Sequence, residues 1–175
     1  MGGTILITSG YRFIGSYLYR LMVERGDKVV DFDLREPNPE SALLVKLVSE
    51  EVHFVQGSMD DWPGIVDAMD THRPEAIAHT AVVVNPVLLN RQPTMALKEN
   101  MGGVFNIFET ARLFEVGRVA YLSSIGVLSA VQYRPLDVNH PELLATEGPG
   151  PCFYGAAKVG REAFCWACNQ SFGLD

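Results

Sequence analysis

Apolar positions along this chain follow two alternating patterns. Short continuous apolar runs give way to segments with helical spacing, and back again. Residues 4–8, TILIT, are apolar, β-branched and bounded by glycine, as a strand buried on both faces should be. A turn, SGYRFIG over 9–15, leads into helical spacing over 16–25, which Gly26 stops. KVVDFDL at 28–34 predicts a second strand, 39–50 a helix, and 52–56 a third strand. After Gly57-Ser58-Met59, Asp60-Asp61 predicts another helix with acids in its first turn. AIAHTAVVV at 76–84 predicts the fourth strand and its exit, and 86–93, with a proline at each end, predicts a turn.

The longest helical pattern spans 94–115. Leu97, Met101, Val104, Phe105, Phe108 and Ala111 recur on one side, and Gly117 ends it. Residues 118–122 predict the fifth strand. Residues 129–150, rich in Pro, Gly and Asn, predict a loop over the site. A closing helix starts near Pro151 and fades by Gly173. Such alternation predicts an α/β fold: a doubly wound parallel sheet with helices on both faces. Ligands of such sheets lie beyond the carboxyl ends of the strands. The 9–15 turn, Asp33, Ser58, the 80–84 exit and Ser124 all fall at such ends.

Composition narrows the classes. The 175 residues suffice for one domain with a real core, and 47% hydrophobic with 20% charged residues is an ordinary globular balance. There are 21 acidic against 14 basic residues and no basic cluster, which argues against nucleic acid as a partner. No apolar run approaches the ~20 residues of a membrane span. MGGTILITSG lacks the basic flank and cleavage site of a signal peptide. An odd count of cysteines (152, 165 and 168) points to reduced thiols in a cytoplasm. Cys165 and Cys168 form a C-x-x-C near a helix end, where small buried residues are the better reading. His53, His72, His79 and His140 have no metal-ligand spacing, so no metal is expected.

Three features carry chemistry. The strand–glycine turn–helix at 4–25 is a phosphate cradle, with free N–H groups and partial positive charge at the helix start. Asp33 follows Gly15 by about 20 residues, the place from which an acid accepts hydrogen bonds from an adenosine ribose. Asp31, two residues earlier, is the second choice. Tyr154 and Lys158 lie four residues apart at a helix start, hence on one face. A cation a few ångströms from a phenol favours its ionised form and fits it for proton transfer.

With these residues in hand, the chain resembles the extended short-chain dehydrogenase/reductase family, the NAD-dependent epimerases and dehydratases. TSGYRFIG resembles the family's T-G-G-x-G-F-I-G, GDKVVDFDL its second strand, and FVQGSMDD its F-V-x-G-D-[IL]-x-D. AHTAV, KENMGGVFNIFETAR, VAYLSSIGV and FYGAAKVGRE resemble later family segments in the same order. The resemblance implies a Rossmann-type NAD(P)-binding domain over 1–175, with the small C-terminal substrate domain absent. It implies Ser124, Tyr154 and Lys158 as catalytic residues, with Lys158 also on the nicotinamide ribose. Cofactor contacts would come from Ser9, Gly10, Arg12, Phe13, Ile14 and Gly15. Asp33 would take the ribose, Ser58 and Met59 the adenine, and Thr80, Ala81, Val82, Val84 and Asn100 the remaining wall. The partner would be a small-molecule substrate such as a nucleotide sugar. The chain would form a homodimer through the helices at 94–115 and 151–172.

Departures from the family pattern bear on function. Ser9 and Arg12 stand at its first and second motif glycines, and Ser9 is compatible with the fold at ordinary backbone angles. Arg12 occupies a place where shorter members of the superfamily meet the 2′-phosphate of NADP, whereas Asp33 repels that phosphate. NAD is therefore expected, with NADP open. Ile125 and Gly126 stand where sugar dehydratases carry Asp-Glu, which disfavours dehydration. The expected activity is oxidoreduction or epimerisation; the alternative is a non-catalytic nucleotide sensor or interaction module.

Overall fold

The computed structural model describes residues 2–37, 39–40, 43, 53–128, 131–141 and 152–175. Its strands are β1 (Thr4–Thr8), β2 (Lys28–Asp33), β3 (His53–Gln56), β4 (Ala76–His79) and β5 (Arg118–Tyr121). They form one parallel sheet in the order β3-β2-β1-β4-β5. This is the expected doubly wound arrangement. Chain order reverses at β1, where Thr8 is paired with Phe32 on one side and His79 on the other. A crevice opens at such a reversal, outside the carboxyl ends of the strands.

The central strand β1 reads as an apolar run because both faces of the sheet are covered. Leu6, Val30, Phe32 and Ile77 pack on one face with Ile65, Met69 and Ile107. Ile5, Ile7 and Val29 pack on the other with Tyr11 and Tyr19. Each fully buried side chain of this size contributes about 1.5–3 kcal/mol relative to exposure.

The helices are α1 (Phe13–Arg25), α2 (Trp62–His72), α3 (Pro86–Arg91), α4 and α5 (Phe153–Phe172). α4 runs from Pro93–Met95 through a π-helical stretch, Ala96–Gly102, into Gly103–Leu113. Gly26 ends α1 in a left-handed cap, at φ +91°. Among the described residues no helix is long and apolar enough to cross a membrane.

Three expectations are corrected. Residues 86–91 form a helix rather than a turn. Pro86 sits at its start, where the missing N–H costs nothing, and Asn85 accepts the N–H of Leu88 as its cap. Asp60 and Asp61 precede α2 instead of lying in its first turn; Asp61 caps it through the N–H of Gly64. On α4, Val104, Phe108 and Ala111 are buried as expected, but Leu97 and Phe105 face outward. The wider π turn shifts the register, so no single 3.6-residue period describes the whole segment. The helix expected over 39–50 falls largely outside the described residues, as do 129–130 and 142–151. The part of the expected loop at 131–141 is irregular and mostly exposed.

Candidate functional site

The first turn is held from below. The Asp31 carboxylate, fully buried in β2, accepts the N–H of Gly10 at 2.5 Å, with that of Tyr11 close by. Its Oδ2 is buried with no partner among the described residues. Burial, opposed by those N–H groups, raises the Asp31 pKa to about 7. Asp31 therefore builds the turn and is not a ribose ligand. A Cβ on Gly10 would stand 2.8 Å from Asp31 Oδ1, and one on Gly15 only 2.1 Å from the Ser9 carbonyl. Ser9 departs from the ordinary angles expected of it. Its φ is +58°, in the left-handed region that favours the family's glycine. Arg12, by contrast, has an extended backbone at φ −93° and ψ 174°, which any residue adopts. Its side chain swings onto Asp33, with Nε 3.1 Å from Oδ2 and Nη2 3.2 Å from Oδ1.

A cleft of about 260 Å³ opens beside this pair. Ser9, Arg12 and Asp33 lie along it, as do Ser58, Met59, Ala81, Val82 and Asn100. These are eight of the residues singled out in the sequence. It also takes in Phe32, Leu34, Arg35, Gly57, Val83 and Glu99, which sequence reasoning missed. Most are chain neighbours of residues it found, and the strand-end rule could have reached them. Glu99 could have been found from its place beside Asn100. Gly10, Gly15 and Thr80 lie behind the cleft as supports. Phe13 and Ile14, at the start of α1, are 80% and 50% exposed, and Val84 is exposed too; none of the three lines it.

The wall formed by the exit of β4 is fixed by polar side chains. Thr8 Oγ1 accepts the N–H groups of Thr80 and Ala81, each at 3.0 Å, and Thr80 Oγ1 donates to the Thr8 carbonyl at 2.6 Å. Asn100 spans Val83 in both senses, accepting its N–H at 2.8 Å and donating to its carbonyl at 3.0 Å. Beneath the wall, Arg161 Nη2 donates to His79 Nε2 at 2.6 Å and to the Ala81 carbonyl at 3.3 Å. Nε2 is then an acceptor, so the His79 proton resides on Nδ1, 2.9 Å from Thr8 Oγ1. Burial, with Arg161 and Lys158 nearby, holds His79 neutral by driving its pKa well below 6.5. Arg161 is 1% exposed, and its Nε has no partner among the described residues. Sequence reasoning missed this buried guanidinium.

The second half of the site brings Ser124, Tyr154 and Lys158 together. Ser124 ends the exit of β5 and caps a short turn, accepting the N–H of Gly126 at 3.1 Å. Gly126 lies between the serine and the tyrosine: a Cβ there would be 3.4 Å from Ser124 Oγ and 3.8 Å from Tyr154 Cδ1. Lys158, one turn along α5, carries its Nζ 5.7 Å from the centre of the Tyr154 ring and donates to the Leu122 carbonyl. Lys158 is 2% exposed, and burial followed by repulsion from Arg161 lowers its pKa to about 8. Cys165 and Cys168 are free thiols further along α5, both with pKa raised, first by burial. That is the reverse of a reactive pair.

The whole of this framework, residues 5–175, matches the model of the NAD dependent epimerase/dehydratase family. The chain is 25% identical over 173 residues to a putative UDP-glucose 4-epimerase of Methanocaldococcus jannaschii, covering 98% of this chain and 52% of that one. It is 27% identical over 179 residues to a probable dTDP-glucose 4,6-dehydratase of Sinorhizobium fredii, covering 97% of this chain and 50% of the relative. Among solved structures, the UDP-glucose 4-epimerase of Thermus thermophilus in complex with NAD superposes with a TM-score of 0.82 at 24% identity. That match covers 98% of this chain and 52% of the other. The chain thus spans about half the length of these relatives. The chain belongs to the NAD dependent epimerase/dehydratase family.

Proposed function

We propose that this chain binds NAD and supports hydride chemistry on a hydroxylated substrate, with a nucleotide sugar as the substrate class. The observation that carries this reading is the meeting of Ser124, Tyr154 and Lys158 around Gly126 and the base of α5. The cofactor fits the residues present. Gly10 and Gly15 let the turn pack tightly against Asp31 and the Ser9 carbonyl ahead of the α1 N-terminus, and the cleft beside it has room for an adenosine. Asp33 is the acceptor for the ribose, once Arg12 yields it. Ser58 and Met59 border the base, and Lys158 the second ribose. When bound, the nicotinamide supplies reversible acceptance of a hydride.

The protein's own residues handle the proton. Tyr154 Oη takes it from the substrate hydroxyl as the carbon–hydrogen bond breaks. Ser124 Oγ donates a hydrogen bond to the same oxygen. Lys158 keeps positive charge beside the ring, which holds negative charge until the proton arrives. Reversal on the opposite face of the substrate would give epimerisation. Ile125 and Gly126, neither acidic, offer no carboxyl group for expelling water, which favours epimerisation or dehydrogenation over dehydration. The free thiols suit a reducing compartment such as the cytoplasm. The outward apolar residues of α4 and α5 suit a homodimer.

The test is Tyr154→Phe in protein loaded with NAD and offered UDP-glucose. Cofactor binding should persist, while interconversion at C4 or NADH formation falls by about 100-fold or more. Unchanged turnover would remove Tyr154 from the chemistry.

A further inference from the structure

We propose that Glu99 reads the base of the bound dinucleotide, selecting a 6-aminopurine over a 6-oxopurine. This rests on the cofactor reading above and adds the residue that makes it specific. The polar lining of the cleft falls into two hydrogen-bonded groups. Arg12 and Arg35 bond Asp33, whereas Ser58 bonds Glu99 and Asn100 bonds Val83; Met59, Val82 and Val83 add apolar surface. Such surfaces suit the faces of a base, and the polar groups at its edge then decide which base.

Ser58, Glu99 and Asn100 are not equivalent. Asn100 is 1% exposed, and both halves of its amide are spent on Val83. The Ser58 hydroxyl is 3.4 Å from Glu99 Oε2 and donates to it. What remains for a ligand is carboxylate acceptor capacity on Glu99. An ionised carboxylate only accepts. Partial burial, with Asp60 nearby, raises the Glu99 pKa, so this acceptor is short of water. Glu99 also lies in the π-helical stretch of α4, and such stretches recur at functional sites. Here the wider turn brings Glu99 and Asn100 to the cleft while Leu97 is left outside.

A 6-amino group donates to this carboxylate. A 6-oxo group in the same place turns a lone pair toward it and leaves both groups unpaired. A site built to bond a donor rejects the analogue that lacks it.

The experiment titrates the purified chain with NADH and with reduced nicotinamide hypoxanthine dinucleotide, following nicotinamide fluorescence. Wild-type protein should bind NADH more tightly by about tenfold or more. In Glu99→Gln the amide can donate to a 6-oxo group, and the preference should shrink to about threefold or less, or reverse. Equal binding of the two dinucleotides by wild-type protein overturns this inference and leaves the cofactor reading standing. A full preference in Glu99→Gln also overturns it. Failure to bind either dinucleotide overturns both.

Discussion

The Arg12 guanidinium grips the Asp33 carboxylate through two bonds, at 3.1 and 3.2 Å, and so occupies the acceptor proposed above for an adenosine ribose. Asp33 Oδ1 also accepts the N–H of Arg35 at 3.1 Å. Arg12 is partly exposed, so the pair can open at modest cost. A 2′-phosphate would instead find Arg12, with Arg35 also at the cleft. Arg12→Gly should therefore tighten NADH binding severalfold and weaken NADPH binding. The ratio of the two affinities should shift by about tenfold. The ratio is the clean readout, because the pyrophosphate is common to both ligands. Parallel calorimetric titrations would measure it, and an unchanged ratio would show that Arg12 does not govern the ribose end.

Asp31 couples the first turn to pH. Its folded pKa, about 7, lies above the ordinary carboxylate value, so folding favours the protonated form. Its contribution is complete below about pH 4 and is lost as pH rises through 7. Asparagine preserves an acceptor for the Gly10 N–H and cannot ionise. Asp31→Asn should thus gain on wild type as pH rises from 5 to 8, by on the order of 3 kcal/mol. The difference between the two melting temperatures, followed against pH, isolates this group from the other titrating residues. A difference that stays flat from pH 5 to 8 would mean that the buried carboxyl does not titrate there.

Much of this architecture was legible in the sequence, for identifiable reasons. TILIT announced a strand because burial on both faces leaves no polar alternation, and KVVDFDL did so through its β-branched start and apolar residues around two aspartates. Asp33 and Ser58 were found at strand ends, where spacing fixes their place, while Asn100 came from the resemblance of KENMGG to a family segment. What escaped detection depends on side-chain direction. Leu97 and Phe105 match the helical period of Val104 and Phe108, but the π turn sets them outward. Arg161 reads as a solvated charge three residues after Lys158, yet it lies under the sheet because His79 and the Ala81 carbonyl accept from it. Ser9 carries no mark of its positive φ, which the close approach of Gly15 to its carbonyl accompanies.

Arg161 and Lys158 are two buried cations one helical turn apart. Burial first, then Arg161, lowers the Lys158 pKa to about 8. Arg161→Met removes a charge from the interior and fills similar space. The lost donors to His79 and Ala81 each cost about 1 kcal/mol, while the unpartnered Nε and its desolvation are relieved. Stability should therefore change by no more than about 1–2 kcal/mol. The Lys158 amine should titrate at higher pH than in wild type. Carbon-13 labelling at the lysine ε position would follow both proteins, and an unmoved Lys158 midpoint would show that the two cations are electrostatically independent.

Phe105 and Phe164 meet edge to face on the outside of the molecule, with ring centres 5.4 Å apart, although both rings are more than 40% exposed. An apolar groove of about 340 Å³, lined by Leu97, Met101, Phe153 and Ala157 among others, lies between the same two helices. A second copy related by a two-fold axis would bury this face against itself, so every residue on it counts twice. Phe164→Glu places two charges in such an interface and removes two aromatic contacts. The dimer should weaken by at least about 30-fold, while the sheet, to which the exposed Phe164 ring contributes little, keeps its stability. Sedimentation equilibrium at micromolar concentration should show a dimer for wild type and a monomer for the variant. A wild-type protein that sediments as a monomer would leave this apolar face to some other partner, and Phe164→Glu would then change nothing but solubility.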